Sequence, residues 1–130
     1  MEYLTREDVL DLHAYIVMRY GGLMGIKSQD RLTTALHAPH QAMFGAELYP
    51  DVYSKAAALA YFIIKNHPFV SGNDGTALIV MMRFLQINGL QLRPDIGTGE
   101  LIWLIRALNH SDISREGLEH WLRENAMGAA

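Results

Sequence analysis

The chain is predicted to fold as an all-α bundle of about six helices, one domain over residues 1–130. Three observations predict it. Apolar residues recur at three- and four-residue spacing through most of the chain. No stretch alternates as a half-buried strand does, Gln91-Leu92-Arg93 being the one short strand candidate. The breaks between periodic stretches fall at Gly, Pro or good N-cap residues.

The first helix carries Val9, Leu12, His13, Ile16 and Val17 on one face. Thr5 is its N-cap, Glu7 and Asp8 suit the positive end of its dipole, and Tyr20-Gly21-Gly22 stops it. A shorter helix from near Ser28 turns Leu32, Ala35 and Leu36 inward before Pro39 ends it. His40 to Pro50 shows no period and is predicted as a loop. Asp51 to Asn66 is apolar nearly all round, which places a helix in the middle of the bundle. His67-Pro68 breaks it, because Pro disfavours the helical region for the residue before it. A second buried helix runs from about Asn73 to Asn88-Gly89, with Ala77, Val80, Met81, Phe84 and Leu85 on one face. Two more follow, Thr98 to Leu108 and Ser114 to Asn125. The tail from Met127 to Ala130 has little to anchor it.

Composition excludes several classes. Half the residues are apolar and 19% are charged, with Gly and Pro scattered, so the chain is neither disordered nor low-complexity. Eleven basic against 14 acidic residues give a net charge of −3, without the electrostatic footprint of a nucleic-acid binder. There is no Cys, which removes disulfides, thiolate nucleophiles and Cys-ligated zinc. The longest apolar run, Ala56 to Ile64, falls well short of the roughly 20 residues of a membrane span. The N-terminus is acidic where a signal peptide is basic and then apolar. A soluble protein of the cytoplasm is expected.

One segment looks chemical. His67-Pro68-Phe69-Val70-Ser71-Gly72-Asn73-Asp74-Gly75-Thr76 joins the two most buried helices. A glycine turn and the first turn of a helix free backbone amides that can cradle an anion. A His beside such a cradle can take the proton of a hydroxyl attacking a phosphate. The plainer alternative is a tight connection between core helices, with His67 hydrogen-bonded to backbone.

The order His67-Pro-Phe-Val-Ser-Gly-Asn73, then Thr76-Ala77-Leu78, resembles the signature loop of the Fic/Doc family in its death-on-curing (Doc) branch, roughly H-x-F-x-[D/N]-[A/G]-N-K-R-T-A. Arg19-Tyr20-Gly21-Gly22-Leu23, Ala35-Leu36, Pro39-His40-Gln41, Phe44-Gly45 to Leu48-Tyr49-Pro50, Lys55 to Ala58 and Phe84-Leu85 to Asn88-Gly89 are similar to that branch as well. The likeness covers residues 4–108 in one order. It implies a Fic/Doc helical bundle and a toxin of a toxin–antitoxin pair. Such a toxin uses ATP and magnesium to transfer phosphate, or AMP in the Fic type, to a protein hydroxyl such as a threonine of elongation factor Tu. It also implies a cognate antitoxin as partner, with no membrane and no direct nucleic-acid contact.

Carried over by position, His67 is the base, Gly72, Asn73 and Thr76 keep the phosphate-loop positions, and Phe69 is the apolar anchor of the loop. Three positions depart: Ser71 stands where the family has an acid or Asn, Asp74 where it has Lys or Gly, and Gly75 where it has Arg. Against an Asp…Lys-Arg loop these changes make the site two charge units more negative, which opposes triphosphate binding. Asp74 is the candidate to replace the missing magnesium ligand. Impaired transfer is expected, the alternative being a non-catalytic Fic/Doc module that engages an antitoxin or target. Restoring Arg at position 75 is expected to favour the helix by up to about 1 kcal/mol.

Other constellations are weaker. His37 and His40 have metal-ligand spacing, but Pro39 lies between them and no further acid pair is near. His13 reads as a satisfied core or interface histidine. His67 with Ser71 lacks the third group of a hydrolase triad. Met81 and Met82 read as core filler. By the resemblance, Phe44–Tyr53 is a flap that aligns a target peptide by strand pairing.

Overall fold

Reciprocal side-chain caps set the helix starts. In the computed structural model, which describes residues 1–129, the Thr5 hydroxyl accepts from the Asp8 amide at 3.0 Å and the Asp8 carboxylate accepts from the Thr5 amide at 2.9 Å. This opens α1 (Arg6–Tyr20), which buries Val9, His13, Ile16 and Val17 and ends at Gly21. Ser28 caps α2 (Gln29–His37), and Pro39 converts its end into a single 3₁₀ turn. Asp51 caps α3 (Val52–Asn66), and α4 (Asn73–Ile87) starts directly after the loop. Gly97 precedes α5 (Thr98–Asn109), and Ser114 caps α6 (Arg115–Asn125). The described residues thus form six helices, as the apolar period predicts.

The centre is the α3–α4 pair. Ala56, Ala57, Ala60, Ile63 and Ile64 of α3 join Ala77, Val80, Met81, Phe84 and Leu85 of α4 in one buried cluster. The remaining helices cover it: α1 on α4, α2 and α6 on α3, and α5 across both. No helix among the described residues is long and apolar enough to cross a membrane.

Two findings differ from the sequence reading. Residues 40–50 are not plain loop: β1 (Ala42–Met43) and β2 (Ala46–Glu47) pair antiparallel around Phe44 and Gly45, both at positive φ. Two-residue strands are too short to show alternation. The tail is also anchored. After α6 the backbone turns extended at Ala126, and β4 (Ala126–Gly128) pairs antiparallel with β3 (Leu90–Leu92). Ala129 then donates to the Gly89 carbonyl at 2.9 Å, whereas Ala130 lies outside the described residues. The edge of β3, one residue from the predicted Gln91–Arg93, supplies partners that the tail's own composition does not reveal.

Asp51 ties two elements. Its carboxylate accepts from the Ser54 amide at 2.9 Å and from Arg123 of α6 at 2.7 Å. Burial pushes its pKa up, but the Ser54 and Arg123 hydrogen bonds outweigh burial and hold it below its ordinary value. A depressed carboxylate contributes stability that is present above its unfolded pKa and is lost as pH falls through the folded one. Asp51→Ala is therefore expected to cost about 1–2 kcal/mol at neutral pH. Urea titration should show that difference shrinking in strong acid.

Candidate functional site

The site is built where α3 stops. His67 is the C-cap, with φ 48° and ψ 59°, a left-handed backbone rare outside glycine. Pro68 accounts for the local choice by disfavouring the right-handed helical region for His67. The His67 amide still donates to the Ile63 carbonyl at 3.1 Å, and the residue is exposed. A strained, exposed titratable residue of this kind marks a candidate site.

The loop is held from three sides. Phe69, 1% exposed, sits in the main core. Asn73 clamps it: its side-chain oxygen accepts from the Phe69 amide at 3.0 Å, and its side-chain nitrogen donates to the Phe69 carbonyl at 2.9 Å. Residues 21–28 brace the outside. Val70 donates to the Gly25 carbonyl, Lys27 to the Pro68 carbonyl and the Leu23 amide to the Ser71 hydroxyl, with an isolated antiparallel bridge between Ile26 and Phe69. From α1, His13 Nε2 lies 2.9 Å from the Ser71 carbonyl.

Gly72, at φ 75°, turns the chain into α4 without any side-chain cap. The first helical bond runs from the Thr76 amide to the Gly72 carbonyl at 2.9 Å, which leaves the Asn73, Asp74 and Gly75 amides without intrahelical acceptors. Those amides and the helix dipole form an anion cradle. A cavity of about 300 Å³ opens on it, lined by His67, Val70, Ser71, Gly72, Asn73, Asp74, Gly75 and Asn109.

Six of the eight sequence-predicted residues thus share one cavity: His67, Ser71, Gly72, Asn73, Asp74 and Gly75. Two do not reach it. Thr76 is fully buried, its hydroxyl without a protein partner, and Phe69 is an anchor only. Asn73 contributes its backbone, since its side chain is consumed by Phe69. Asn109, at the C-terminal end of α5, is the residue that sequence reasoning missed. Its side-chain amide donates to both Asp74 oxygens, at 3.0 and 3.2 Å. A helix drawn to end at Leu108 carries no signal that the next residue reaches the loop.

Two further expectations change. Gly75 accepts a side chain only if Ile16 gives way, because a Cβ there meets Ile16 Cγ2 at 3.0 Å, a contact that opposes the gain in helix propensity. Nor does the Phe44–Tyr53 segment flank the loop. α2 starts beside the loop, where Arg31 bonds the Asn66 carbonyl, and runs away from it along α3. The hairpin therefore lies beside the N-terminal end of α3, away from His67. There Glu47 is tied to the buried Lys55 at 2.8 Å. The strand-like neighbour of the loop is Gly21–Ser28. Elsewhere, the His37 and His40 rings lie 5.9 Å apart, and no cluster of three metal-ligating side chains exists among the described residues.

The cavity fits one phosphate group better than a magnesium–triphosphate complex. Amides converge on it, but no Lys or Arg lines it, and its one carboxylate is already engaged by Asn109. Arg106 lies outside this cavity; it lines an adjoining apolar slot of about 180 Å³ that shares Asp74 and Gly75 and a second cavity beside Trp103 and His110.

A turn-linked helix pair with a left-handed His and a glycine-capped amide cradle defines a protein class, and comparison with known proteins agrees with it. The Fic/DOC family matches residues 3–85, and the chain belongs to that family, in its Doc branch. It is 38% identical over 94 residues to Toxin Doc of Mycolicibacterium smegmatis, covering 72% of this chain and 70% of the relative. It is 30% identical over 92 residues to Protein kinase doc of Escherichia phage P1, covering 71% and 72%.

Proposed function

We propose that this chain is a Doc-type toxin of the cytoplasm that transfers phosphate from ATP to a protein hydroxyl, at a rate limited by its altered loop. The observation that carries the reading is His67 at the rim of the α4 amide cradle. In the proposed step the His67 imidazole takes the proton of the target hydroxyl as its oxygen bonds the γ-phosphorus. The bond from that phosphorus to the β-phosphate bridging oxygen breaks, and ADP leaves with the electron pair. Asn73–Gly75 amides hold phosphate oxygens, and Asp74 would serve magnesium, which would neutralise phosphate charge, only by giving up Asn109. Ser71, Asp74 and Gly75 support a weak version of this chemistry. Transfer of AMP instead is the corresponding step at the α-phosphorus.

By family resemblance the target is a threonine of elongation factor Tu and the regulating partner a cognate antitoxin. Exposed Met18 and Tyr20 of α1 and Trp103 of α5 offer apolar surface for such a partner. The absence of any Lys or Arg around the cavity favours a second reading, a non-catalytic module that binds partners through the same fold.

The test incubates the protein with magnesium, elongation factor Tu and ATP labelled at the α- or the γ-position. Label from the γ-position on the target, removed by His67→Ala, is the expected result. Label from the α-position assigns AMP transfer. No label with either, from folded protein, supports the binding module.

A further inference from the structure

We infer that His13 is a positioning residue for the loop: it sets the direction of the Ser71–Gly72 peptide and so keeps the Gly72 N–H on the cradle side. The inference rests on the amide cradle proposed above and extends it to a residue outside the loop.

His13 lies on α1, 2% exposed. Its ring stacks on Phe69 with centroids 3.8 Å apart and planes 10° from parallel. Its Nε2 is 2.9 Å from the Ser71 carbonyl oxygen. A carbonyl only accepts, so Nε2 must carry the hydrogen, and the contact selects the tautomer. Burial and stacking also fix the ring, so the donor cannot swing away.

The consequence follows from peptide geometry. In a trans peptide the C=O and the following N–H point in opposite directions. Because His13 holds the Ser71 carbonyl toward α1, the Gly72 N–H points away from α1. No α1 residue lines the cavity, whereas Ser71, Gly72 and the three first-turn residues of α4 do. The Gly72 N–H therefore adds a fourth donor to the amides of Asn73, Asp74 and Gly75. Glycine at 72 makes this orientation a choice, since its backbone tolerates the flipped peptide. A flipped peptide turns a carbonyl oxygen toward the cradle, where it repels an anion. His13 holds the loop in the anion-accepting state.

The close fit supports a dedicated contact. A Cβ on Gly72 lies 3.4 Å from Ile16, 3.5 Å from Val17 and 3.8 Å from His13 Nε2, so α1 backs the turn directly. Core packing by itself requires only the ring, whereas the hydrogen bond reaches the one carbonyl that precedes the glycine turn.

The test uses the full chain labelled with ¹⁵N. Long-range proton–nitrogen spectra of the wild type should show His13 protonated at Nε2. The Nδ1-protonated form overturns the proposal without any variant. His13→Phe keeps the ring on Phe69 and removes the donor, and His13→Gln returns a donor near the Nε2 position. Residual dipolar couplings of the Gly72 N–H should depart from wild type in His13→Phe and return in His13→Gln. Inorganic phosphate, titrated as the probe, should bind about tenfold more weakly to His13→Phe, and Gly72 should lose its response while Asn73–Gly75 keep theirs. Unchanged couplings and affinity in folded His13→Phe overturn the inference. Changed couplings in a chain whose wild-type amides ignore phosphate uphold the positioning role and remove the cradle reading instead.

Discussion

The variant Ser71→Asp, Asp74→Lys, Gly75→Arg is expected to bind ATP about 10²–10⁴-fold more tightly than the parent. The estimate counts two regained charge-assisted contacts at about 1.5–3 kcal/mol each. Removal of the Asp74 carboxylate from a cavity with no Lys or Arg lowers repulsion further. The gain should fall steeply with salt, as screening requires. The structure separates the three steps. Ser71→Asp retains an acceptor for the Leu23 amide, which lies 3.2 Å from the present hydroxyl. Asp74→Lys releases Asn109. Gly75→Arg brings a Cβ to 3.0 Å from Ile16 Cγ2, so the melting temperature should drop at that step and at Asp74→Lys, which also loses the Asn109 bonds, but not at Ser71→Asp. Calorimetric titration with ATP at two salt concentrations measures the affinity, and a thermal scan of each single variant measures the rest. A triple variant that binds ATP no better than the parent would remove loop charge as the explanation of weak transfer.

Phe69→Ala should be the most destabilising single change in the loop, by about 3–5 kcal/mol, as for truncation of a buried aromatic. Phe69 is 1% exposed and belongs to the cluster that includes Val9, Ile64 and Ala77. The truncation also strips the His13 ring of its stacking partner and loosens both bonds of the Asn73 clamp. Phe69→Leu, which refills most of the space, should cost much less. Urea denaturation of the two variants makes the comparison, and a Phe69→Ala loss below about 1 kcal/mol would contradict the anchor role. Because the loop is fastened through this ring, phosphate binding should vanish from Phe69→Ala before the helices melt.

The helices were legible in the sequence because each one announces itself locally. Thr5 and Ser114 are N-caps in the structure, as their side-chain chemistry and the following apolar period predict, and Ser28 and Asp51, read only as helix starts, prove to be N-caps too. The loop was legible in part for the same reason, His67-Pro68 and Gly72 being a local stop and turn, whereas the anchor role of Phe69 was implied by the family resemblance. What brings distant segments together was not legible. Asn109 meets Asp74 across 35 positions, His13 meets Ser71 across 58, and residues 21–28 lie against 68–71. The hairpin illustrates the limit, since only the direction of α2 along α3 puts it at the end away from His67. The tail illustrates it too, because Ala126–Gly128 takes its order from the edge of β3 rather than from its own residues. A side chain's period and caps are set by neighbours within one turn. Which peptide carbonyl a buried imidazole reaches is set by how whole helices pack, and that information belongs to the core.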